Sequence, residues 1–365
     1  MKAEEYIDTI NTCLSCLKMC RFACPVAEES GSETYTPTGK ISILYLLLKG
    51  ELEFNKENIY PLYMCLQCDR ASDYCPLDVD VAGALKAGRI DAINKGVVLD
   101  YIKPVRDNIV SSKSTYENDT DVRRELREKL APESNNDTLL FIGCTTYNEQ
   151  PEIAEQVAKL LKKIGMNFDI LGEDEPCCGG PLLTLGFEKE AIDHFKFTAS
   201  VLNKYKQIIT ICPNCTLTFK KTYEEYGINI KAEIINYVEI LAKALKDGKL
   251  KLKQLDNEII SFHDPCKYKK LNLLDLPREI LSEYASKFKE LQRNKEYTYC
   301  CGGGSSLPRI DDALANKIAR NRLQEARDLG VTTLISACPS CKRMLTKNNT
   351  QNQSLTIKDL SEILE

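Results

Sequence analysis

The sequence has no hydrophobic run long enough to cross a bilayer. Its longest apolar stretch, residues 41–48, includes Ser42, whereas a membrane helix needs about 20 apolar residues. We expect this stretch to form a buried helix. The chain also lacks an excess of positive charge, because 49 basic residues against 53 acidic ones give a net charge of −4. We therefore expect no nucleic-acid partner. Because the apolar stretch is too short, we also expect no direct membrane span, so that attachment to the inner membrane face would come through a partner.

A secretory signal is also lacking, since residues 1–5 are polar and acidic, and this predicts a cytoplasmic protein. The chain nevertheless has seventeen cysteines among 365 residues. In a reducing compartment, so many cysteines indicate metal or redox chemistry rather than a disulfide framework. The length allows two or three domains with cores of their own.

Ten of the cysteines form two sets of five with nearly the same spacing. In each set a lone cysteine precedes a Cys-Cys-Gly sequence, and a Cys-Pro-x-Cys sequence follows. The first set is Cys144, Cys177, Cys178, Cys212 and Cys215, and the second is Cys266, Cys300, Cys301, Cys338 and Cys341. Equivalent cysteines lie 122 to 126 residues apart, which predicts a duplicated module. Five thiolates in each of two modules indicate iron–sulfur chemistry.

The seven remaining cysteines lie in two N-terminal motifs that each end in Cys-Pro. They are Cys13, Cys16, Cys20 and Cys24 in the first motif, and Cys65, Cys68 and Cys75 in the second. Both motifs resemble the pattern of bacterial two-cluster ferredoxins, in which the last cysteine of each motif binds the other cluster. The second motif departs from this pattern, because Ala71 stands where its third cysteine is expected.

The ferredoxin rule implies one complete cluster site and one incomplete site. The complete site is a [4Fe–4S] cubane on Cys13, Cys16, Cys20 and Cys75, and the incomplete one is on Cys24, Cys65 and Cys68. Three thiolates suit a [3Fe–4S] cluster, or a cubane completed by water, Asp69 or Asp73. Loss of the second cluster is the third alternative.

The order of predicted elements divides the chain into domains. Residues 1–110 read as a helical ferredoxin-like domain, and the polar residues 111–137 read as a linker. Strands and helices then alternate over residues 138–250 and again over 251–365, which predicts two α/β modules with parallel strands. Cysteines following those strands would lie at their carboxyl ends, where open α/β sheets bind ligands.

Within each module, the pattern predicts further elements around the cysteines. Residues 168–171 read as a second strand of the first module, and residues 234–245 as an amphipathic closing helix. The apolar spacing of that helix recurs at residues 357–363, so we expect a matching helix at the end of the second module. The fold class is therefore a helical two-cluster ferredoxin domain followed by two duplicated α/β modules.

The whole arrangement resembles the D-type iron–sulfur subunit of heterodisulfide reductase. The helical domain is similar to the ferredoxin domains of succinate dehydrogenase and heterodisulfide reductase subunits, and each five-cysteine set is similar to the cysteine-rich (CCG) domain of the reductase's catalytic subunit. The resemblance implies that each set binds a noncubane [4Fe–4S] cluster. It also implies that both clusters face one cavity, where a small disulfide resembling CoM-S-S-CoB is reduced. The ten cysteines of the two sets would then be catalytic, and the enzyme would work within a complex under anaerobic conditions.

A second family with this architecture keeps a different function open. The chain is also similar to the iron–sulfur subunits of FAD-linked glycolate, lactate and anaerobic glycerol-3-phosphate dehydrogenases, which pass electrons towards quinone. Many of those subunits have lost one cysteine of a final C-x2-C pair, whereas both pairs are intact here. We therefore favour the heterodisulfide reductase type. The redox partner would be a flavoprotein or a membrane haem or quinone subunit.

Other interpretations fit the residues less well. Four thiolates can bind a structural zinc ion, but a fifth thiolate per module and the duplication argue against zinc. Neighbouring cysteines rarely pair as disulfides without strain. Of the two histidines, we expect His194 to lie at a surface or interface, and His263 to support the bound cluster with an N–H group as part of the catalytic site. Lysines 267, 269 and 270 form either a solvated face or a basic contact for an anionic substrate or partner.

Overall fold

The computed structural model describes residues 1–16, 18–117, 119–131, 135–255, 258–350 and 355–365. Its N-terminal part is helical, with α1 (Ile7–Leu14), α2 (Pro25–Ser30), α3 (Pro37–Lys49), α4 (Lys56–Tyr63), α5 (Arg70–Asp73), α6 (Val81–Asn94) and α7 (Lys103–Ser112). Helix α3 contains the long apolar stretch and begins where the Thr36 side chain accepts a hydrogen bond from the Gly39 amide at 3.0 Å. It ends at Gly50, whose φ of 74° suits a left-handed helix stop. The expected helix is therefore present, but within residues 41–48 only Ile41, Leu44 and Leu47 are buried, and the others are half-buried.

Helix α8 (Thr120–Leu130) connects this part to two modules of the same design. The first module contains β1 (Thr138–Phe141), α9 (Cys144–Glu149), α10 (Pro151–Lys163), α11 (Gly180–Leu185), α12 (Glu188–Leu202), β2 (Gln207–Thr210), α13 (Pro213–Leu217), α14 (Tyr223–Glu225), β3 (Glu233–Asn236) and α15 (Tyr237–Lys246). The second contains β4 (Ile260–His263), α16 (Tyr268–Leu271), α17 (Leu276–Leu281), α18 (Leu307–Ile310), α19 (Asp312–Asp328), β5 (Thr333–Ser336), α20 (Pro339–Asn348) and β6 (Thr356–Asp359).

Each module has a three-stranded parallel sheet, in the order β1-β2-β3 and β4-β5-β6. In the first sheet Leu140 pairs with Ile209 and Ile209 with Ile235. In the second sheet, Phe262 pairs with Ile335, and Ile335 pairs with Lys358. The expected fold class, a helical ferredoxin-like part followed by two α/β modules with parallel strands, is confirmed.

Three element predictions were wrong. Residues 234–236 belong to strand β3, so the closing helix begins only at Tyr237. In the second module β6 and a short 3-10 turn stand where a closing helix was expected. Residues 168–171 contribute only a single bridge, between Asp169 and Leu139, instead of a strand. Short apolar runs fit the helical period and the strand period equally well, and pairing with a strand distant in sequence decides between helix and strand.

Buried apolar side chains join the two modules. Leu140 and Ile209 of the first sheet belong to the same buried cluster as Phe262 and Ile335 of the second. Burying such a side chain contributes about 1.5–3 kcal/mol. A polar contact adds to this interface, because the Tyr237 hydroxyl donates to the Asp359 carboxylate at 2.9 Å.

One arginine ties the helical N-terminal part to both modules. Arg89 of α6 is fully buried and donates to the carbonyls of Leu62 and Cys65 in its own part of the chain. It also donates to the Thr184 carbonyl of the first module at 2.7 Å and to Ser305 Oγ of the second at 2.6 Å. Within the described ranges, no helix is long and apolar enough to span a membrane.

Candidate iron–sulfur sites

The complete ferredoxin-type site lies between α1 and α5. Cys13 and Cys20 are buried, and each interacts electrostatically with Cys16 and Cys75. Burial, reinforced by these neighbouring sulfurs, raises the pKa of Cys13 to about 11 and that of Cys20 to about 12. Four thiols held close together in this way need a cation to stay ionised, and iron supplies it. The residues therefore fit the four-cysteine [4Fe–4S] site that the ferredoxin pattern implies.

The incomplete site is a small pocket on the other side of α5. Cys24 interacts with Cys65 and Cys68, in agreement with the crossed ferredoxin rule. These three cysteines line a pocket of about 30 Å³, together with Ala71. The structure therefore groups the seven N-terminal cysteines as four and three, and the three-cysteine pocket has Ala71 in its wall.

Three buried cations surround this pocket. Lys40 Nζ lies 3.9 Å from Cys24 Sγ and donates to the Met64 carbonyl. Arg70 lines the pocket, and Arg89 donates to the Cys65 carbonyl at 3.0 Å. Among the described residues, none of these three side chains forms an ion pair with a carboxylate. Buried charges require compensation, and an anionic iron–sulfur cluster on three thiolates would provide it, which argues against an empty site.

The lysines that follow Cys266 bind this part of the chain. Lys267 and Lys270 contact Asp69 Oδ2 at 3.4 and 3.0 Å, and Lys269 pairs with Asp73. Lys267 and Lys270 hold the pKa of Asp69 below its usual value, although burial of the carboxylate acts to raise that pKa. The basic cluster thus joins the second module to the ferredoxin-type site, a role that the sequence did not indicate.

The five sulfurs of the first set form one interacting group. Cys177 interacts with Cys144 and Cys178, and Cys215 interacts with Cys178 and Cys212. Cys144 begins α9 directly after β1, and Cys212 precedes α13 directly after β2. Both therefore lie at the carboxyl ends of parallel strands and at helix N-termini, where the helix dipole stabilises thiolate charge.

The second set has the same arrangement. Cys300 interacts with Cys266 and Cys301, while Cys341 interacts with Cys301 and Cys338. The loop after the cysteine pair requires glycine, since Gly302 has a φ of 87° and a Cβ there would lie 2.4 Å from the Ala315 carbonyl oxygen.

Two further contacts link these groups into a single network of sulfurs. Cys338 of the second set interacts with Cys212 of the first. At the other end, Cys300 interacts with Cys68 of the N-terminal three-cysteine site. All ten cysteines of the two sets are thereby connected, and the second set directly contacts the ferredoxin-type part.

A cavity of about 430 Å³ opens beside this network between the two modules. Every cysteine of the two sets except Cys177 lines it. Its remaining wall includes Tyr116, Arg309 and Arg343. The cavity has the volume of a small-molecule site, for which 300–1,000 Å³ is typical.

Comparison with known proteins identifies the domains. A family described as "Cysteine-rich domain" matches residues 138–220 and 260–346, and one described as "4Fe-4S dicluster domain" matches residues 9–79. Residues 138–220 and 260–346 are therefore similar to the cysteine-rich domain family, and residues 9–79 to the 4Fe-4S dicluster domain family. The cysteine-rich domains are the two α/β modules, and the 4Fe-4S dicluster domain contains both N-terminal cysteine motifs.

Relatives with the same domains are oxidoreductase subunits. The chain is 26% identical to the D subunit of the dihydromethanophenazine:CoB–CoM heterodisulfide reductase of Methanosarcina barkeri, over 86% of the chain and 79% of the relative. It is 24% identical to the C subunit of the anaerobic glycerol-3-phosphate dehydrogenase of Escherichia coli, over 55% of the chain and 52% of that relative. The expected resemblance to D-type heterodisulfide reductase subunits is confirmed. These matches support an iron–sulfur oxidoreductase role.

A solved structure has a similar fold. The crystal structure of a hypothetical protein from Helicobacter pylori matches with a TM-score of 0.55 at 10% identity, covering 99% of this chain and 75% of that one. At this level of identity the match concerns the fold alone.

His263 lies beside the cysteines of the second cysteine-rich domain. One of its ring nitrogens and the sulfurs of Cys301 and Cys341 lie within 4.8 Å of one another. Arg322 Nε donates to His263 Nδ1 at 3.0 Å, so the ring proton is on Nε2 and faces Cys301. Burial, together with the charge of Arg322, lowers the pKa of His263 and keeps the ring neutral. The Nε2–H group of the neutral ring therefore faces the sulfur of Cys301, and support of a bound cluster by His263 stays a prediction.

Sequence reasoning missed the residues that support the sulfurs. Arg322 is fully buried and pairs with Glu325 at 2.9 Å. In the first domain, the carboxylate of the buried Glu175 accepts the amides of Ile142 and Gly143 at 3.0 and 2.7 Å, and thereby fixes the strand end before Cys144. Only the position of Glu175, two residues before Cys177, offered a signal.

His194 differs from its expected surface or interface position. It is buried in α12, and its Nε2 lies 2.7 Å from the Cys177 carbonyl oxygen. The helical pattern did not show this contact, since it depends on how α12 packs against the cysteine loop.

Proposed function

We propose that this protein carries electrons through its dicluster domain to two noncubane [4Fe–4S] clusters, which reduce a small disulfide resembling CoM-S-S-CoB. The observation that supports the proposal most is the cavity between the cysteine-rich domains. Both cysteine sets line it, and it has the volume of a small ligand.

The proposed ligands follow from the grouping of the sulfurs. Electrons would enter at a cubane on Cys13, Cys16, Cys20 and Cys75. They would then pass a second cluster on Cys24, Cys65 and Cys68, either a [3Fe–4S] cluster or a cubane whose fourth iron takes an oxygen ligand. One noncubane cluster would occupy Cys144, Cys177, Cys178, Cys212 and Cys215, and the other Cys266, Cys300, Cys301, Cys338 and Cys341.

The proposed reaction consumes two electrons and two protons for each disulfide and releases two thiols. Two neighbouring one-electron centres supply the electrons when bound. The chain's own residues hold the substrate between the domains and limit access of water through the walls of the cavity. His263 acts beside the second site as an N–H donor to sulfur, with its tautomer set by Arg322.

Disulfide cleavage by anaerobically purified protein tests this function. Reduced viologen dye would supply electrons, and the disulfides offered would include anionic, neutral and cationic compounds. We expect dye oxidation that depends on the disulfide and yields two thiols, and its loss in Cys338→Ser. The matched control is Ser42→Ala, whose hydroxyl bonds only the Thr38 carbonyl within α3. Absence of turnover with every disulfide, in protein with full iron content, would contradict the proposal.

A second candidate function has its own support. Similarity to the glycerol-3-phosphate dehydrogenase subunit of Escherichia coli favours an electron-transfer subunit of an FAD-linked 2-hydroxy acid or glycerol-3-phosphate dehydrogenase. Such a subunit would receive electrons from a flavoprotein and pass them towards quinone, at the membrane face through its partner.

An anaerobic pull-down from the native host distinguishes the two functions. The electron-transfer role predicts a flavin-containing partner and turnover only in its presence. The reductase role predicts that the isolated chain cleaves a disulfide with an artificial donor, whichever haem or flavin subunit accompanies it. Colourless protein without iron would contradict both.

A further inference from the structure

Ser72 has the one uncommitted hydroxyl among the described residues that line the three-cysteine pocket of the dicluster domain. It follows Ala71, which stands where the ferredoxin motif expects a cysteine. Ser72 lines the pocket together with Cys24, Cys65 and Cys68. Its Oγ is buried and has no hydrogen-bond partner. A buried hydroxyl without a partner is costly, so its position requires an explanation.

We propose that Ser72 Oγ is the fourth protein ligand of the second N-terminal cluster. The site would then hold a [4Fe–4S] cubane on three thiolates and one serine oxygen. When the oxygen binds iron, a hydroxide that occupies the fourth iron takes the serine proton and leaves as water. An Fe–O bond to serine replaces an Fe–O bond to hydroxide, and no electron is transferred.

The acidic residues near the pocket are already engaged. Asp69 Oδ2 contacts Lys267 and Lys270, and the Asp73 carboxylate pairs with Lys269. These ion pairs hold the carboxylates towards the second cysteine-rich domain. Asp69 also lines the pocket, but binding iron through the carboxylate oxygens that the lysines contact would break contacts that join the domains, whereas binding through Ser72 breaks none.

The charges around the pocket favour an ionised serine oxygen. Arg70 is buried and lines the pocket, and its Nη1 has no hydrogen-bond partner in the described part of the chain. Lys40 Nζ lies beside Cys24. Both cations stabilise negative charge on the cluster and its ligands, and an unpartnered buried guanidinium N–H group can donate to an anionic oxygen.

The type of the second cluster in the full-length protein tests the proposal. Wild type, Ser72→Ala, Ser72→Cys and the matched control Ser42→Ala would be purified anaerobically and compared by EPR, Mössbauer spectroscopy and iron analysis. We expect no [3Fe–4S] signal from wild type or Ser42→Ala. Ser72→Ala should have one iron fewer per chain and about one [3Fe–4S] spin per chain after mild oxidation. Ser72→Cys should keep full iron content and change the spectrum of the second cluster alone.

Several outcomes would overturn the assignment. A stoichiometric [3Fe–4S] signal in anaerobic wild type would show that no fourth ligand exists, and an unchanged spectrum in Ser72→Ala would show that the ligand lies elsewhere. Should Asp69→Asn, rather than Ser72→Ala, generate the three-iron signal, the ligand would be Asp69. If Ser72→Ala does not fold, Ser72→Cys decides, because an unchanged second-cluster spectrum there rules out ligation at this position. These readouts do not depend on disulfide reduction, so the two proposals can fail separately.

Discussion

The sulfur of Cys300 interacts with the sulfur of Cys68, and this contact connects the second cysteine-rich domain to the dicluster domain. It lowers the pKa of Cys68 to about 7. Cys144 lies at the opposite end of the same sulfur network, in the first cysteine-rich domain. Under the proposed function, electrons would pass from the three-cysteine site to the second domain, and then through Cys338 and Cys212 to the first.

Removing Cys300 should interrupt that path. We expect Cys300→Ser to lose the iron of the second cysteine-rich domain and to leave electrons in the N-terminal clusters, because one ligand and the contact with Cys68 disappear together. Iron analysis and rapid-freeze EPR after reduction would measure both effects. Cys144→Ser is the matched control, since it should lose only the iron of the first domain. Equal transfer defects in the two variants would contradict a path through Cys68.

The buried Lys40 should raise the reduction potential of the second N-terminal cluster. Reduction adds negative charge, and a cation close to Cys24 stabilises it. A Coulomb energy of about 1–4 kcal/mol, at an effective dielectric constant near 20, corresponds to roughly 50–150 mV for one electron. We therefore expect Lys40→Met to lower the potential in an EPR-monitored redox titration. The control Lys206→Met replaces an exposed lysine that pairs with Asp137, and it should leave the potential of the second cluster unchanged. An unchanged potential in Lys40→Met would show that Lys40 does not influence this cluster.

The hydrogen bond from His263 should stabilise the reduced state of the second cysteine-rich site. We expect His263→Leu to lower its potential by roughly 30–60 mV, since about 1 kcal/mol of N–H to sulfur stabilisation is lost. His263→Gln retains an N–H group and should restore part of the shift. If both variants shift the potential equally, the effect comes from packing instead of the hydrogen bond.

The stability of the domain interface should depend on pH through Asp359. Burial raises the pKa of Asp359 to about 6, whereas an unfolded aspartate titrates near 3.9. Between these values the unfolded chain loses its proton and the folded chain keeps it, so the free energy of unfolding falls as pH rises and levels off above pH 6. From pH 5 to pH 7 the free energy of unfolding should decrease by about 1 kcal/mol through this group.

Asp359→Asn should remove that part of the pH dependence. Asparagine can still accept the Tyr237 hydroxyl and cap the turn that follows β6. Chemical denaturation of anaerobic protein at several pH values between 5 and 7 would measure the slope. Asp137→Asn, at an exposed position, serves as the control and should keep the wild-type slope. If the slope is also unchanged in Asp359→Asn, the pH dependence of the free energy of unfolding comes from another group.

Much of the fold was predictable because the sequence repeats its own pattern. The Cys-Cys-Gly and Cys-Pro-x-Cys sequences recur with nearly constant spacing, and apolar runs precede them, so the duplicated modules and their parallel strands followed directly. Strands β3 and β6 were not predictable, because Ile234 and Ile357 fit a helical period as well as a strand. Their pairing with β2 and β5 settles the matter, and no local pattern encodes a partner distant in sequence.

By itself, the sequence determined which sulfurs can act together within each motif, since close spacing and strand ends bring them to one place. Only the tertiary structure decided which sets meet. The contacts of Cys212 with Cys338 and of Cys68 with Cys300 join segments more than a hundred residues apart, as does the pairing of Lys267 with Asp69. Such contacts arise from the packing of whole domains, which spacing along the chain does not specify.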